Sequence, residues 1–279
     1  MKKLGFIGAG NMAEALARGL LAKKLFRPSE LIASDVEPAR RRKLARLLKI
    51  ETAADNIAVV NQARAIVLAV KPQTIDAVLD EIAPALNSSV KGKRASGDKL
   101  FISIAAGVPI SRIESHLGGI ARVIRVMPNA PAMVGQGMAA IVGGSHTSRT
   151  DEAFTLRIFR AAGEAVILRE ESLLDAVTAL SGSGPAYVYL FVQAMVEAAV
   201  KEGLPGGLAL QMALQTVRGA EQTMRQSRMA PSELIRIVAS PGGTTLAALT
   251  KFAEASFSDV IAGAIHAAAD RSRELGRSR

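Results

Sequence analysis

The chain has 279 residues, a formal net charge of +10 and no cysteine, and 49% of its residues are hydrophobic against 22% charged. This composition is ordinary for a globular protein of about two domains and excludes a disordered chain. The lack of cysteine excludes a disulfide scaffold, a thiolate nucleophile and a metal site built on sulfur.

Metal, membrane and nucleic-acid partners are not expected. The three histidines have no ligand spacing, and aromatic residues at 4% leave few rings for stacking on bases. The longest apolar stretch, 186–200, carries Gln193 and Glu197 and is shorter than the about 20 residues that a membrane span needs. The apolar run 4–8 is too short for a signal peptide, which favours a cytoplasmic protein.

Short apolar runs alternate with helical patterns through the first half of the chain. This alternation is typical of parallel strands that are buried on both faces, so it predicts a doubly wound α/β sheet. The predicted strands cover residues 4–7, 31–34, 65–70, 101–104, 123–127 and 138–142. A polar, basic stretch at 87–99 predicts a surface loop.

After about Leu168 the segments become long, rich in Ala and Leu, and helical in period, without a strand pattern. We therefore predict a dinucleotide-binding domain over 1–168 and an all-helical domain over 169–279. The apolar residues of 186–200 occupy too much of the helix circumference for one small bundle to cover, which predicts self-association.

A glycine-rich motif, G-x-G-x-x-A, lies between the first predicted strand and a helical pattern. Its glycines permit a tight turn and a close approach to a pyrophosphate, and the helix start offers free N–H groups. This context predicts a dinucleotide site. Its residues are Gly8, Ala9, Gly10, Asn11 and Met12.

Asp35 follows the second predicted strand, where a carboxylate accepts hydrogen bonds from ribose hydroxyls and repels a 2′-phosphate. It therefore favours NAD. Arg40, Arg41 and Arg42 oppose that preference if they pair with the 2′-phosphate of NADP. The alternative for these arginines is the solvated basic face of an amphipathic helix, and the choice between NADP and NAD stays open.

Three further motifs bring polar groups to element ends. Ala69, Val70, Lys71 and Pro72 follow a buried strand and are expected to line the cofactor crevice. Ser183, in SGSGPAY, is either a helix N-cap or a ligand contact. RVMPNAP at 125–131 predicts an ordered, non-helical loop because of its two prolines.

The segment SPGGTT offers a further anion pocket, since adjacent glycines and a helix start expose backbone N–H groups to a small carboxylate. A capped turn is the alternative interpretation. The residues are Gly242, Gly243, Thr244 and Thr245.

Together these motifs resemble the pyrroline-5-carboxylate reductase family, in family order over nearly the whole chain. The matching segments are FIGAGNMA (6–13), AVKP (69–72), SIAAGV (103–108), RVMPNAP (125–131), DAVTALSGSGPAY (175–187), SPGGTT (240–245) and RELG (273–276). The resemblance implies hydride transfer from NADPH or NADH to 1-pyrroline-5-carboxylate, which forms L-proline in the last step of proline biosynthesis. It also implies a Rossmann-type domain, an intertwined helical dimerisation domain and a homo-oligomer.

The resemblance also assigns residues. It implies cofactor contacts at Ala9, Asn11, Met12, Asp35, Asn56, Val70, Lys71 and Ala106. It implies that the backbone of 242–245 holds the substrate carboxylate, that Thr245 contacts the ring nitrogen and that Glu171 lies near bound proline. Two departures are noted: the family commonly has a small polar residue in place of Asp35, which weakens the expected preference for NADPH, and the loop 87–99 is longer than usual.

Two other functions remain as alternatives. A β-hydroxyacid dehydrogenase has the same two-domain plan but needs an acid/base, for which Lys201 is the nearby candidate. A non-catalytic protein that senses nucleotides or binds nucleic acid is supported only by the positive charge, and it predicts salt-sensitive DNA binding. Reduction of a preformed imine needs neither a metal nor a thiol, which suits this chain.

Overall fold

The computed structural model describes residues 2–87, 99–119 and 121–277. They form two compact units: the first comprises Met1–Ser183 and Ala268–Arg279, and the second comprises Gly184–Ala267. Most of the predicted loop 87–99 lies outside the described residues.

The first unit contains an eight-stranded sheet in the order β3-β2-β1-β4-β5-β6-β7-β8. Its strands are β1 (Lys2–Ile7), β2 (Leu31–Ser34), β3 (Glu51–Ala53), β4 (Ala63–Leu68), β5 (Leu100–Ser103), β6 (Arg122–Pro128), β7 (Gly137–Gly143) and β8 (Gly163–Ile167). The six predicted strands are all present, whereas β3 and β8 were missed. The order reverses direction at β1, as a doubly wound sheet requires.

The prediction of a parallel sheet is wrong for one pair of strands, because β7 pairs with β6 in antiparallel register. The connection between them is short and contains only the 3₁₀ segment Ala130–Val134. A parallel pair needs a crossover of about a dozen residues or more, so this connection permits only the antiparallel arrangement. β8 then pairs with β7 in parallel. The same 3₁₀ segment corrects the prediction that 125–131 contains no helix.

Helices surround the sheet and form the second unit. In the first unit they are α1 (Asn11–Ala22), α2 (Pro38–Leu48), α3 (Asn56–Gln62), α4 (Ile75–Asn87), α5 (Ile110–His116), α6 (Arg149–Phe159) and α7 (Leu173–Val177). They continue with α8 (Gly184–Lys201), α9 (Gly206–Ser227), α10 (Pro231–Val238), α11 (Thr244–Glu254) and α12 (Phe257–Arg277). Beyond residue 168 the described chain contains no strand, as predicted for the helical region.

Both faces of the sheet are buried. Along β4, Ala65 and Val67 pack into one apolar cluster, while Ile66 and Leu68 pack into the other. This alternation follows from the two-residue period of a strand. It explains why the inner strands are continuous apolar runs in the sequence, as in parallel sheets covered by helices on both sides.

The boundary between the compact units falls later than the predicted domain boundary at Leu168. The reason is packing, since Leu174 of α7 is fully buried in the apolar cluster on one face of the sheet. The stretch that begins the predicted helical domain therefore belongs to the first compact unit. None of the helices within the described ranges is both long enough and apolar enough to cross a membrane.

Candidate functional site

Four predicted motif segments lie at the carboxyl ends of neighbouring strands. The glycine motif follows β1, Asp35 follows β2, residues 69–72 follow β4, and Ala106 lies in the loop after β5. Since β2, β1, β4 and β5 are adjacent and parallel, these segments share one edge of the sheet. Open α/β sheets bind their ligands at this edge, where the strand order reverses.

The two glycines of the turn after β1 differ in their surroundings. Gly8 has a φ of +97°, and a Cβ added there would lie 2.6 Å from the Ala69 carbonyl oxygen. A Cβ added to Gly10 would find only the Arg40 Nη1 within 4 Å, at 3.7 Å. Gly8 is therefore needed for the fold of the turn, whereas Gly10 leaves open space in front of α1.

Gly10 is the N-cap of α1 and is extended, with φ −74° and ψ −176°. No side chain caps this helix start. The first backbone N–H groups of α1, including those of Asn11 and Met12, therefore remain available to an anionic group. This geometry fits a pyrophosphate.

Asp35 is already engaged within the protein. Its Oδ2 accepts the Ala9 N–H at 2.8 Å, and its Oδ1 accepts the Glu37 N–H at 2.9 Å. The side chain is nearly buried, and the Arg40 Nη1 lies 3.9 Å from its Oδ2. A carboxylate oxygen can accept more than one hydrogen bond, so Asp35 organises the glycine turn and still has lone pairs for a ligand.

The three arginines of α2 are not equivalent. The Arg41 Nη1 donates to the Asp35 carbonyl oxygen at 2.5 Å, which turns this side chain back onto its own backbone. The Arg40 Nε contacts the Glu37 carboxylate at 2.9 Å, while its Nη1 points toward Gly10. Arg42 is exposed. Leu44 and Leu48 are buried on the side of the helix away from Arg42, as expected for an amphipathic helix.

Asn56 and Lys71 flank the same edge. The Ser34 hydroxyl donates to the Asn56 Oδ1 at 2.7 Å, and the Asn56 Nδ2 donates to the Glu81 Oε2 at 2.7 Å. Asn56 is thus held between β2 and α4. Lys71 precedes the 3₁₀ turn Pro72–Thr74 and is exposed, and Ala69 and Val70 before it are half-buried.

Glu171 forms a partly buried network that sequence reasoning missed. Its Oε1 accepts the Ile110 N–H at 2.9 Å and the Arg125 Nη1 at 2.8 Å. Arg125 is only 8% exposed, whereas the Glu171 side chain is 30% exposed, so the arginine is the better shielded partner of this ion pair. The sequence did contain one signal for this network, because Arg125 is the first residue of the RVMPNAP motif. The predicted role of Glu171 beside bound proline stays a prediction.

Asn129, of the same motif, joins two other segments. Its Nδ2 donates to the Ser181 carbonyl oxygen at 3.1 Å, and its Oδ1 accepts the Met138 N–H at 2.8 Å. Ser181 belongs to the π-helical segment Thr178–Gly182. The amide therefore fixes the RVMPNAP loop to the start of the SGSGPAY motif.

The N-cap interpretation of Ser183 is wrong. Ser183 has helical dihedrals, φ −86° and ψ −22°, and its N–H donates to the Thr178 carbonyl oxygen at 2.8 Å. An N-cap residue is normally extended. Ser183 instead connects the π-helical segment to α8. Its predicted contact with a ligand remains a separate prediction.

The SPGGTT segment of the second unit forms a tight turn before α11. Gly242 has a φ of +69°, and the Gly243 N–H donates to the Ser240 carbonyl oxygen at 3.0 Å. Gly243 is the N-cap of α11 and lacks a capping side chain. The N–H groups of Thr244 and Thr245 therefore lie in the uncapped first turn, where Thr244 is exposed and Thr245 half-buried.

Across the residues that the structure describes, no three His, Asp or Glu side chains cluster closely enough to hold a metal ion. Lys201, the candidate acid/base of the alternative function, is an exposed residue at the end of α8.

Two family models match the chain, and the relatives named here share one name. A model described as pyrroline-5-carboxylate reductase dimerisation matches residues 171–275, and one described as NADP oxidoreductase coenzyme F420-dependent matches residues 3–107. A pyrroline-5-carboxylate reductase of Methanosarcina acetivorans is 41% identical over 99% of this chain and 98% of its own length. The Pseudomonas aeruginosa reductase is 40% identical over 98% of this chain and 96% of its own.

Solved structures agree. The reductase of Coxiella burnetii superposes with a TM-score of 0.90 at 31% identity and covers 99% of each chain. The Plasmodium falciparum pyrroline carboxylate reductase, with NADP bound, superposes with a TM-score of 0.86 at 31% identity and covers 99% of this chain and 98% of that one.

Proposed function

The chain belongs to the pyrroline-5-carboxylate reductase family, and on this premise we propose that it catalyses the last step of proline biosynthesis. NADPH or NADH, when bound, supplies the hydride that reduces the C=N bond of 1-pyrroline-5-carboxylate to give L-proline. The observation that carries this proposal is the match to reductases over nearly the full length of both chains. Three of the family's motifs, at 6–13, 69–72 and 103–108, also meet at one sheet edge.

The first unit is the proposed dinucleotide-binding domain. The open space at Gly10 and the uncapped N–H groups of α1 support pyrophosphate binding there. Asp35 and Asn56 are the proposed contacts on the adenosine side. Residues 69–72 and Ala106 are the proposed contacts along β4 and β5.

The second unit carries the proposed carboxylate pocket at Gly242–Thr245. The N–H groups at the start of α11 hold the substrate carboxylate, and the Thr245 hydroxyl hydrogen-bonds the ring nitrogen. A protonated imine already accepts hydride well, so the main tasks of these residues are binding and orientation. Glu171 and Ser183 are the other proposed substrate contacts.

The helical domain, predicted over 169–279, is the proposed assembly domain of a homodimer or a larger even-numbered oligomer. Large apolar side chains of α8 and α9 are exposed in the single chain, among them Leu190 at 67% and Leu214 at 53%. A groove between these helices is lined by Val192, Leu210 and Val217. Apolar surface of this extent is typical of subunit interfaces. The cytoplasmic location stays a prediction.

One assay separates this function from its alternatives. Purified protein is mixed with 1-pyrroline-5-carboxylate and either NADPH or NADH, and the loss of reduced cofactor is followed by absorbance. We expect oxidation that depends on the imine. If NADPH or NADH is oxidised only when the keto product of a β-hydroxyacid is added, the result supports the dehydrogenase alternative. If neither cofactor is oxidised and the protein binds DNA in a salt-sensitive way, the result supports the nucleic-acid alternative.

A further inference from the structure

The loop between β5 and α5 contacts the end of the C-terminal helix. Gly107, in the SIAAGV motif, is buried and has a φ of +74°. A Cβ added to Gly107 would lie 3.1 Å from the Leu275 Cβ and 3.4 Å from the Gly276 nitrogen. The loop backbone therefore packs directly on the RELG motif, to which the proposed function assigns no role.

The contact is close from the other side as well. A Cβ added to Gly276 would lie 3.1 Å from the Gly107 carbonyl oxygen. Contacts of this length are tighter than side chains normally make, so both backbones approach each other only because both positions are glycine. A larger residue at Gly276 must push the loop away or move the helix end.

The helix end is anchored independently of this contact. The Ser272 hydroxyl donates to the Asp175 Oδ1 at 2.6 Å, and Ser272 is only 4% exposed. Ala269, one turn earlier, is 6% exposed. The last turns of α12 are therefore packed within the first unit, which includes the residues from Ala268 onward.

Both ends of the loop are held by other contacts. The Ile104 N–H donates to the Leu68 carbonyl oxygen at 3.2 Å, and the Ile110 N–H donates to Glu171 at 2.9 Å. Leu275 and Gly276 contact the middle, next to Ala106. The position of Ala106 therefore depends on the C-terminal motif as well as on the strand and helix beside it.

We propose that Leu275 and Gly276 are positioning residues for cofactor binding, which hold the 103–108 loop so that Ala106 faces the dinucleotide. This rests on the proposed function, in which Ala106 contacts NAD(P)H. Because the motif contacts the loop beside Ala106, it acts on cofactor affinity rather than on the chemical step.

The test compares the same substitution at two glycines of α12. Gly276→Ala places a Cβ 3.1 Å from the Gly107 oxygen, whereas Gly263→Ala meets no described atom within 4 Å. Gly276→Val extends the series. Kd for NADPH is measured directly by fluorescence, and KM for each substrate, kcat and Tm are measured on the full-length enzyme.

We expect Gly276→Val to raise Kd and KM for NADPH by about 5- to 20-fold, with a smaller rise for Gly276→Ala, because small displacements of a binding loop cost this much. KM for the imine, kcat and Tm of the Gly276 variants should stay near wild type, and Gly263→Ala should match wild type in Kd, KM and kcat, with a Tm at or slightly above wild type because alanine favours a helix interior. Unchanged NADPH binding in folded Gly276→Val overturns the proposal. So does an equal loss of affinity for both substrates with a lowered Tm, which indicates a general structural role.

The failure of this proposal can be distinguished from the failure of the proposed function. Since NADPH binding is measured without the imine, a wild-type protein that binds NADPH but does not reduce the imine contradicts the proposed function alone.

Discussion

The Asp35 carboxylate accepts the Ala9 backbone N–H at 2.8 Å, so the acidic residue at the end of β2 is bonded to the glycine turn that follows β1. The bond is charge-assisted and shielded from water, and it fixes the turn before any ligand arrives. Asp35 therefore has two separable properties, an acceptor that organises the turn and a negative charge near the proposed ribose site.

Asp35→Asn separates these properties. The asparagine oxygen can still accept the Ala9 N–H, although the Glu37 N–H then loses its acceptor, and the negative charge that repels a 2′-phosphate is gone. We expect the ratio of kcat/KM for NADPH to kcat/KM for NADH to rise by about tenfold, the effect of removing a like charge next to a phosphate. Steady-state kinetics with both cofactors measure the ratio.

Asp35→Ala serves as the comparison, since it removes the acceptor as well as the charge. It should raise KM for both cofactors because the turn loses its hydrogen bond. An unchanged cofactor ratio in Asp35→Asn would show that Asp35 organises the turn but does not contact the ribose.

Gly10→Val tests the pyrophosphate site. The backbone at Gly10 is extended and its surroundings are open, so valine is tolerated in the fold. Its side chain then occupies the space proposed for the pyrophosphate, and NADPH and NADH binding should be lost with a Tm near wild type. Calorimetric titration and thermal melting measure the two quantities.

Gly8→Ala is the contrasting change. The φ of +97° and the 2.6 Å approach to the Ala69 oxygen make any side chain there strained. Gly8→Ala should therefore lower the Tm. Normal cofactor affinity in folded Gly10→Val would exclude this turn as the pyrophosphate site.

The inner strands could be predicted from the sequence because burial on both faces makes them continuous apolar runs. β3 and β8 could not, since these edge strands are short and expose Glu51 and Glu164. The direction of β7 was also missed, because residue composition does not encode strand direction. It follows from the length of the connection after Pro128.

The candidate site could likewise be predicted only in part from the sequence. The glycine turn and the segment after β4 were predicted because motif, strand and helix patterns coincide there. The pairing of Arg125 with Glu171 was not, since these residues are distant in sequence and meet only through the fold. The contact between Gly107 and Gly276 was missed for the same reason.

Leu190→Glu tests the assembly domain. Leu190 is 67% exposed on α8 in the single chain, and burial of a carboxylate in an apolar interface is strongly unfavourable. The variant should shift the oligomer toward monomer in sedimentation experiments at micromolar concentration. Gln226→Glu adds the same charge at an exposed polar position of α9 and should leave the assembly intact. A wild-type protein that sediments as a single monomeric species would contradict the proposed oligomer.

Glu114→Gln tests a buried carboxyl group on α5. Burial raises the pKa of Glu114, with His146 opposing the shift and Glu171 adding to it. Its Oε1 is buried without a hydrogen-bond partner among the described residues. At a pH just above the ordinary pKa of 4.5, Glu114 keeps its proton in the folded state but has lost it in the unfolded state. The stability of the fold therefore decreases as the pH rises through this range.

Glutamine stays neutral and removes this fall. We expect Glu114→Gln to raise the Tm at pH 7 relative to wild type, with a smaller difference near pH 4. Glu202→Gln, at an exposed position, is the matched control and should not alter the profile. A Glu114→Gln protein that melts below wild type at pH 7 would show that the charged form is stabilised in the fold.

Thr245→Ala tests the residue proposed to contact the reacting end of the substrate. Thr245 lies in the uncapped first turn of α11, beside the N–H groups proposed to hold the carboxylate. In the proposed function its hydroxyl hydrogen-bonds the ring nitrogen, whose charge changes as hydride arrives. A hydrogen bond to a charged group contributes roughly 1.5–3 kcal/mol, so kcat/KM for the imine should fall about 10- to 150-fold while NADPH affinity stays near wild type. Thr245→Ser keeps the hydroxyl and should recover much of the loss, whereas Thr244→Ala should have a smaller effect because Thr244 is proposed to contribute only its backbone. Full activity in Thr245→Ala with a loss in Thr244→Ala would reverse the two roles, and full activity in both would show that SPGGTT serves only as the turn before α11.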